Sequence, residues 1–185
     1  MTEIRRIFIT GGAGVGKTTL ASKLAERLEA PFTELDSVMW NLDGDGKAAS
    51  MESRRESINE IISSPRWVVE GSYVGPANEI WRAADLIIFV EVSLRIALWR
   101  IFWRHVRAEL RRNNRHKGWR NLLRFMKVVT ACNRDPYVGD LDAENDDPKL
   151  TLARLIAKRE QHQEKVLVVG SNPNIDEILA HINSK

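Results

Sequence analysis

The chain has 185 residues, 43% hydrophobic and 29% charged, with 28 basic against 25 acidic side chains and a formal charge of +3. Those proportions exclude a disordered, a collagenous and a disulfide-scaffolded chain. The single cysteine, Cys132, excludes an internal disulfide and a cysteine-cluster zinc site, and it fits a reducing compartment.

In chain order, residues 4–10 form an apolar, β-branched run that ends in glycines and reads as a buried strand. The chain enters it without an apolar signal segment. Leu20, Ala21, Leu24, Ala25 and Leu28 recur at helical spacing and predict an amphipathic helix over 17–29, stopped by Pro31. Residues 32–36 read as a second strand, and the Asp- and Gly-rich stretch 41–49 as a loop. Met51, Arg54, Ile58, Ile61 and Ile62 predict a helix that ends near Pro65. Residues 67–71 and 85–92 read as the third and fourth strands. Ser93 is placed to N-cap a long helix whose apolar stripe is Leu94, Leu98, Ile101, Phe102 and Val106. The most apolar stretch, 86–103, is interrupted by Glu91, Arg95 and Arg100, so no bilayer-spanning segment and no membrane partner are expected.

Residues 113–118 break that helix, and Leu122, Phe125, Met126 and Val129 predict another. The polar stretch 133–148 reads as a mobile loop, 150–163 as a helix and 165–170 as the fifth strand. Asn172 is expected to cap a last helix, with Pro173 in its first turn and Asp176 and Glu177 near the positive end of its dipole. Continuous apolar strands alternating with helices mean a parallel sheet covered on both faces. The expectation is one cytoplasmic α/β domain over residues 1–185, with room for an inserted subdomain.

The strongest signal is Gly11-Gly12-Ala13-Gly14-Val15-Gly16-Lys17-Thr18, which matches G-x-x-x-x-G-K-[ST] directly after a strand and before a helix. Glycines let such a loop turn its N–H groups inward, and the following helix offers unpaired N–H groups and the positive end of its dipole. Gly12, Ala13, Gly14, Val15, Gly16, Lys17, Thr18 and Thr19 are therefore the candidate nucleotide-binding residues. Lys17 would reach the β- and γ-phosphates of ATP, and Thr18 would place its hydroxyl on Mg²⁺. Thr19 also suits the first turn of a helix on local grounds alone.

In open α/β sheets, ligands sit beyond the carboxyl ends of the strands. Asp36 ends the predicted second strand and Glu70 the third, followed by Gly71, which would let a ligand approach closely. Mg²⁺ keeps several waters and takes few protein ligands, so one carboxylate opposite the loop suffices for it. Glu70 is assigned to the metal and Asp36 to the acceptor hydroxyl. Strand-end turn chemistry explains both residues as well. Asp85 begins the fourth strand, at the wrong end of the sheet, and reads as structural. Trp40 would wall an acceptor pocket or fill a core or interface.

The charge is unevenly spread. Residues 95–127 hold eleven Lys/Arg and one acid, Glu109, whereas 140–147 hold five acids and no base. A site for an anion and a pair of solvated surfaces both produce this pattern. Within it, Arg100, Arg104, Arg107 and Arg111 fall on a narrow helical face. Arginine forks there would bind phosphate oxygens and stabilise a transferring phosphoryl group. A solvated face and a nucleic-acid surface are the alternatives, the latter because Trp99, Trp103 and Trp119 are interleaved. Arg154 and Arg159 are further candidates, and His105 reads as a boundary residue.

The chain resembles the nucleoside and nucleotide kinase branch of P-loop proteins, and along its length the adenylate-kinase-related topology modulation proteins (FlaR-like). Four segments carry the resemblance: residues 11–20; Glu34-Leu35-Asp36-Ser37 with Trp40; Trp67-Val68-Val69-Glu70-Gly71-Ser72-Tyr73; and Asp85-Leu86-Ile87-Ile88-Phe89-Val90 leading to Leu98-Trp99-Arg100 and Arg104. It implies a three-layer P-loop fold with a five-stranded parallel sheet in the order 2-3-1-4-5, and a helical lid between strands four and five, at about 108–150. It also implies a kinase that takes Mg-ATP and a small-molecule phosphate acceptor. Adenylate kinases carry Asp-Gly-Phe-Pro-Arg where this chain has Glu70-Gly71-Ser72-Tyr73-Val74. The nucleotide-binding arginine of that motif is missing, which argues against AMP as the acceptor. A nucleotide-dependent nucleic-acid-binding regulator and a polynucleotide 5′-hydroxyl kinase stand as alternative readings.

Overall fold

The computed structural model describes residues 4–40, 47–110, 118–143 and 150–184. Five strands, β1 (Arg6–Gly11), β2 (Phe32–Glu34), β3 (Trp67–Glu70), β4 (Leu86–Val90) and β5 (Val166–Val169), form one sheet in the order β2-β3-β1-β4-β5. All four neighbouring pairs are parallel, as the expected order requires. The side chains of β1 explain why the strands read as unbroken apolar runs. Ile7 and Ile9 join Leu86, Ile88 and Val90 under α1 (Lys17–Leu28) and α8 (Ile175–Asn183). Phe8 points the other way, with Ile87 and Phe89, toward α2 (Leu35–Met39), α3 (Met51–Ser63), α4 (Asn78–Ala83) and α7 (Leu152–Glu160). Both faces of the sheet are covered, so both alternating sets of side chains are apolar. A third cluster joins α5 (Leu94–Leu110) to α6 (Trp119–Arg134) through Ile101, Leu122 and Val129, against Ala13 of the phosphate loop.

Several local expectations change. Strand β2 stops at Glu34, and Asp36 lies in the first turn of α2 instead of at a strand end. Leu35 and Met39, four residues apart, are both buried, which suits one face of a helix and not an alternating strand. Helix α4 has six residues, too few for a periodic signal. Ser93 does cap α5, its Oγ accepting from the N–H of Ile96 at 3.4 Å. The cap of α8 is Asn174, which accepts from the N–H of Asp176 at 3.0 Å, and not Asn172.

Residues 135–143 are irregular but pinned, contrary to the mobile loop expected there. The buried Lys158 ammonium donates to Asp142 at 2.8 Å, and the buried Arg154 donates to the Asp140 carbonyl at 2.8 Å. Thr151 Oγ1 donates to the carbonyl of Tyr137. Arg154 thus serves this strap, while Arg159 pairs with Glu91 at 3.2 Å and lies over the Phe89 ring. Neither reaches a phosphate site. Residues 144–148 of the expected loop lie outside the described residues, as does Arg111. Among the described residues no helix is long and apolar enough to cross a membrane.

Asp85 is structural, as expected. It accepts from the N–H groups of Arg5 and Arg6, at 3.1 and 2.9 Å, and from the Arg6 guanidinium at 2.6 Å. Burial alone would push its carboxyl up, but the Arg6 hydrogen bond, both N–H groups and the Arg6 charge together hold it below the ordinary carboxylate value. A carboxyl depressed by folding stabilises above its unfolded pKa of about 3.9, and the contribution is lost as pH falls through the folded value. The urea midpoint of the wild type is therefore expected to exceed that of Asp85→Asn at pH 6. Titration in urea should show this gap closing below about pH 4.

Candidate active site

A cleft of about 1050 Å³ opens beside the carboxyl ends of β1, β3 and β4. Its floor is the phosphate loop. Gly14 and Gly16 hold φ of +76° and +102°, the left-handed region that a glycine enters freely. A Cβ on Gly14 would lie 2.8 Å from the Ala97 carbonyl oxygen, so the loop rests directly on α5. Helix α1 begins at Lys17 with no side chain capping its N-terminus, whereas Ser50, Thr151 and Asn174 cap α3, α7 and α8. The first-turn N–H groups of α1 are thus left for an anion.

Ala13 through Thr19 line the cleft, and Gly12 contributes its carbonyl, which accepts from Lys17 Nζ at 2.9 Å. Thr18 Oγ1 donates to Glu70 Oε1 at 2.9 Å, placing a hydroxyl and a carboxylate side by side at the loop's exit. Two adjacent hard oxygen donors fit Mg²⁺ with its water shell, so Thr18 and Glu70 are the residues that would hold it. Among the described residues there is no cluster of three or more His, Cys, Asp or Glu that would cage a metal outright. Burial pushes the Lys17 ammonium down, opposed by the Glu70 and Asp36 carboxylates and reinforced by Arg104. Burial pushes the Glu70 carboxyl up, opposed by Lys17 and the Thr18 hydrogen bond. Each group is partly desolvated and leans on the other.

Asp36 also lines the cleft, and its Oδ1 accepts from the Tyr73 hydroxyl at 2.6 Å. That hydroxyl in turn accepts from Trp40 Nε1 at 2.9 Å. Trp40 therefore reaches Asp36 through the Tyr73 hydroxyl, 42% exposed, and does not lie in the core. Gly71 lines the cleft, and a Cβ at that position would lie 2.8 Å from the Leu35 Cβ. Tyr73 is the site residue that sequence reasoning did not single out. Its partner is 37 residues away in the chain, and no local spacing marks the pair.

The arginine row divides. Arg104 and Arg107 line the cleft with Trp99, Trp103 and Phe125. Arg100 also borders it, but its guanidinium donates to the carbonyls of Val15, at 2.5 Å, and Ser171, and to Asn172 Oδ1 at 3.3 Å. It ties the phosphate loop to the loop after β5. His105 is buried, 3.6 Å from Glu109 and against the Trp119 ring, as its boundary reading implied.

No protein-family model matches the chain. The uncharacterized protein YqaC of Bacillus subtilis is 28% identical over 98 residues, which are 52% of this chain and 54% of that protein. A shikimate kinase of Vibrio cholerae is 24% identical over 185 residues, covering 88% of this chain and 99% of its own. A shikimate kinase of Francisella tularensis is 30% identical over 108 residues, 51% of this chain and 61% of its own. YqaC and the Francisella kinase are thus matched over little more than half their length. Among solved structures, a gluconokinase from Sinorhizobium meliloti superposes over the whole chain and 92% of its own, with a TM-score of 0.50 at 15% identity. A shikimate kinase from Acinetobacter baumannii in complex with shikimate gives 0.51 at 17% identity, covering 98% and 94%. With its 2-3-1-4-5 parallel sheet and helices on both faces, the chain has the P-loop kinase fold.

Proposed function

We propose that the protein is a phosphotransferase that moves the γ-phosphoryl group of Mg-ATP to a small acceptor. One observation carries this reading: Lys17, Thr18, Glu70 and Asp36 share one cleft, with phosphate-side and acceptor-side groups in electrostatic reach of each other. The shikimate kinase relatives and the gluconokinase fold neighbour support a small, soluble acceptor over a protein. The likeness to the adenylate-kinase-related branch rests on the four segments quoted above.

The residues divide the work. The phosphate loop and the first turn of α1 bind the polyphosphate, and Lys17 neutralises its β- and γ-oxygens. Mg²⁺, when bound, neutralises charge on those oxygens and orients them. Asp36 accepts the acceptor's proton. Arg104 faces the cleft and stabilises charge on the moving phosphoryl group. Arg100 acts one step back, as the residue that holds the loop in shape. Helix α6, which brings Phe125 to the cleft, would close over it and exclude water, so that ATP is not spent on hydrolysis.

The test is Mg-dependent ADP formation across a panel of acceptors, with Lys17→Ala as control. Acceptor-stimulated turnover that Lys17→Ala abolishes is expected; equal turnover in both proteins would sink the reading. Trp99, Trp103 and Trp119 are exposed near Arg104 and Arg107, which favours a nucleic-acid 5′-hydroxyl as the second reading, so an oligonucleotide belongs in the panel. Glu70→Gln is expected to raise the Mg²⁺ concentration for half-maximal turnover about 10-fold, since it keeps the shape and loses the charge. A Mg²⁺ titration of initial rates reads this directly.

A further inference from the structure

We propose that Tyr73 and Trp40 position Asp36 as proton acceptor for a neutral hydroxyl, so that the acceptor is a hydroxyl compound and not a phosphate monoester. This rests on the transfer reading above and narrows it. The argument begins with donors. An indole N–H can only donate. Trp40 Nε1 donates to Tyr73 Oη at 2.9 Å, which leaves the single phenolic proton to point at Asp36 Oδ1, 2.6 Å away. The direction of both bonds is therefore set by the tryptophan.

The arrangement is anchored at both ends. The Trp40 backbone N–H donates to the Asp36 carbonyl at 3.1 Å, closing α2. The Tyr73 carbonyl accepts from Nε1 of the fully buried Trp81 at 2.9 Å. Asp36 itself is exposed on a five-residue helix. The phenol holds its Oδ1, and Oδ2 carries no hydrogen bond among the described residues. Burial, together with the Asp36 hydrogen bond and charge, pushes the Tyr73 phenol well above its usual range, so it stays a donor at neutral pH.

A held proton acceptor serves only one kind of nucleophile. As a hydroxyl oxygen forms its bond to the γ-phosphorus, the bond from that phosphorus to the bridging oxygen breaks. The electron pair leaves on ADP, and the hydroxyl proton passes to Asp36 Oδ2. A phosphate monoester is largely dianionic at neutral pH, and its attacking oxygen has no proton to give. It would also bring negative charge toward Glu34, Asp36 and Glu70, whose carboxylates already act on one another. Lys17 and Arg104 act on one another beside the phosphate loop, while Arg54 acts on the Tyr73 phenol.

The experiment measures ADP release with two acceptor sets. One holds sugars, polyols, shikimate, gluconate, nucleosides and a 5′-hydroxyl oligonucleotide; the other holds nucleoside monophosphates. Wild type, Tyr73→Phe, Trp40→Phe and the double variant are compared. Stimulation by a hydroxyl compound is expected, with kcat about 10-fold lower in Tyr73→Phe and the KM for ATP unchanged. The double variant should be no slower than Tyr73→Phe alone, because Trp40 acts through the phenol. Stimulation by monophosphates only overturns the acceptor class while leaving phosphoryl transfer standing. Wild-type kcat in Tyr73→Phe overturns the positioning role. No stimulation by either set overturns phosphoryl transfer and the acceptor class together. An ultraviolet titration reads the contact without turnover: one of the two tyrosines should ionise at high pH, and Asp36→Asn should bring it down.

Discussion

Replacing Lys17 by alanine is expected to lower turnover by about 10²–10³-fold, the cost of removing one preorganised donor from a reacting oxyanion. The ammonium sits in the cleft beside the Gly12 carbonyl at 2.9 Å, held between Glu70, Asp36 and Arg104. Without it the two carboxylates face the incoming polyphosphate with less opposing charge, so nucleotide affinity should fall as well. Lys17→Arg keeps the charge but replaces a compact ammonium by a planar fork, and it should rescue only part of the loss. Initial rates of ADP release and calorimetric titration with ATP separate the effect on chemistry from the effect on binding. An unchanged nucleotide affinity in Lys17→Ala would mean that the loop backbone alone holds the phosphates.

The largest effect on stability is expected at Trp81. Its side chain is fully buried, meets the Phe8 ring edge-on at 5.2 Å and stacks on His162 at 5.8 Å. Its Nε1 satisfies the Tyr73 carbonyl. Trp81→Ala removes a large buried ring and orphans that carbonyl, a loss of about 3–5 kcal/mol. For a chain of this size that lowers Tm by roughly 10 °C. Trp81→Phe should recover most of the packing and leave the carbonyl unpaired, giving an intermediate Tm. Thermal and urea unfolding of the two variants rank these terms, and equal stability of Trp81→Ala and wild type would contradict the packing seen here.

Strands β1, β3, β4 and β5 were legible because each is a short, largely apolar run whose neighbours are glycine or a charged residue, whereas β2 is only Phe-Thr-Glu and runs on into Leu35. The phosphate loop was legible because its chemistry dictates both residue type and spacing over eight consecutive positions. Asp36 and Glu70 both line the cleft, although the backbone carrying Asp36 is helix and not strand. What escaped was tertiary. Helix α4 is short and forms because Ile80 and Trp81 are buried against β1 and its neighbours. The strap over 135–143 reads as a loop by composition and is held by cations from a helix that follows it. Asn172 and Asn174 are equally good caps in isolation; helix α8 begins at Ile175, so Asn174 caps it, and Asn172 accepts from Arg100 instead. The Tyr73 contact joins α2 to the segment after β3, and such pairings leave no periodic trace in a single sequence.

The hold of Arg100 on its neighbours has an evolutionary reading. Two of its three acceptors are the main-chain oxygens of Val15 and Ser171. Every amino acid carries that oxygen, so the grip itself asks nothing of the side chains at positions 15 and 171, although Val15 is also buried in the core. The guanidinium has no such freedom, because a lysine offers neither the span nor the forked geometry to reach two loops at once. Selection for the shape of the phosphate loop therefore bears more heavily on position 100 than on position 171.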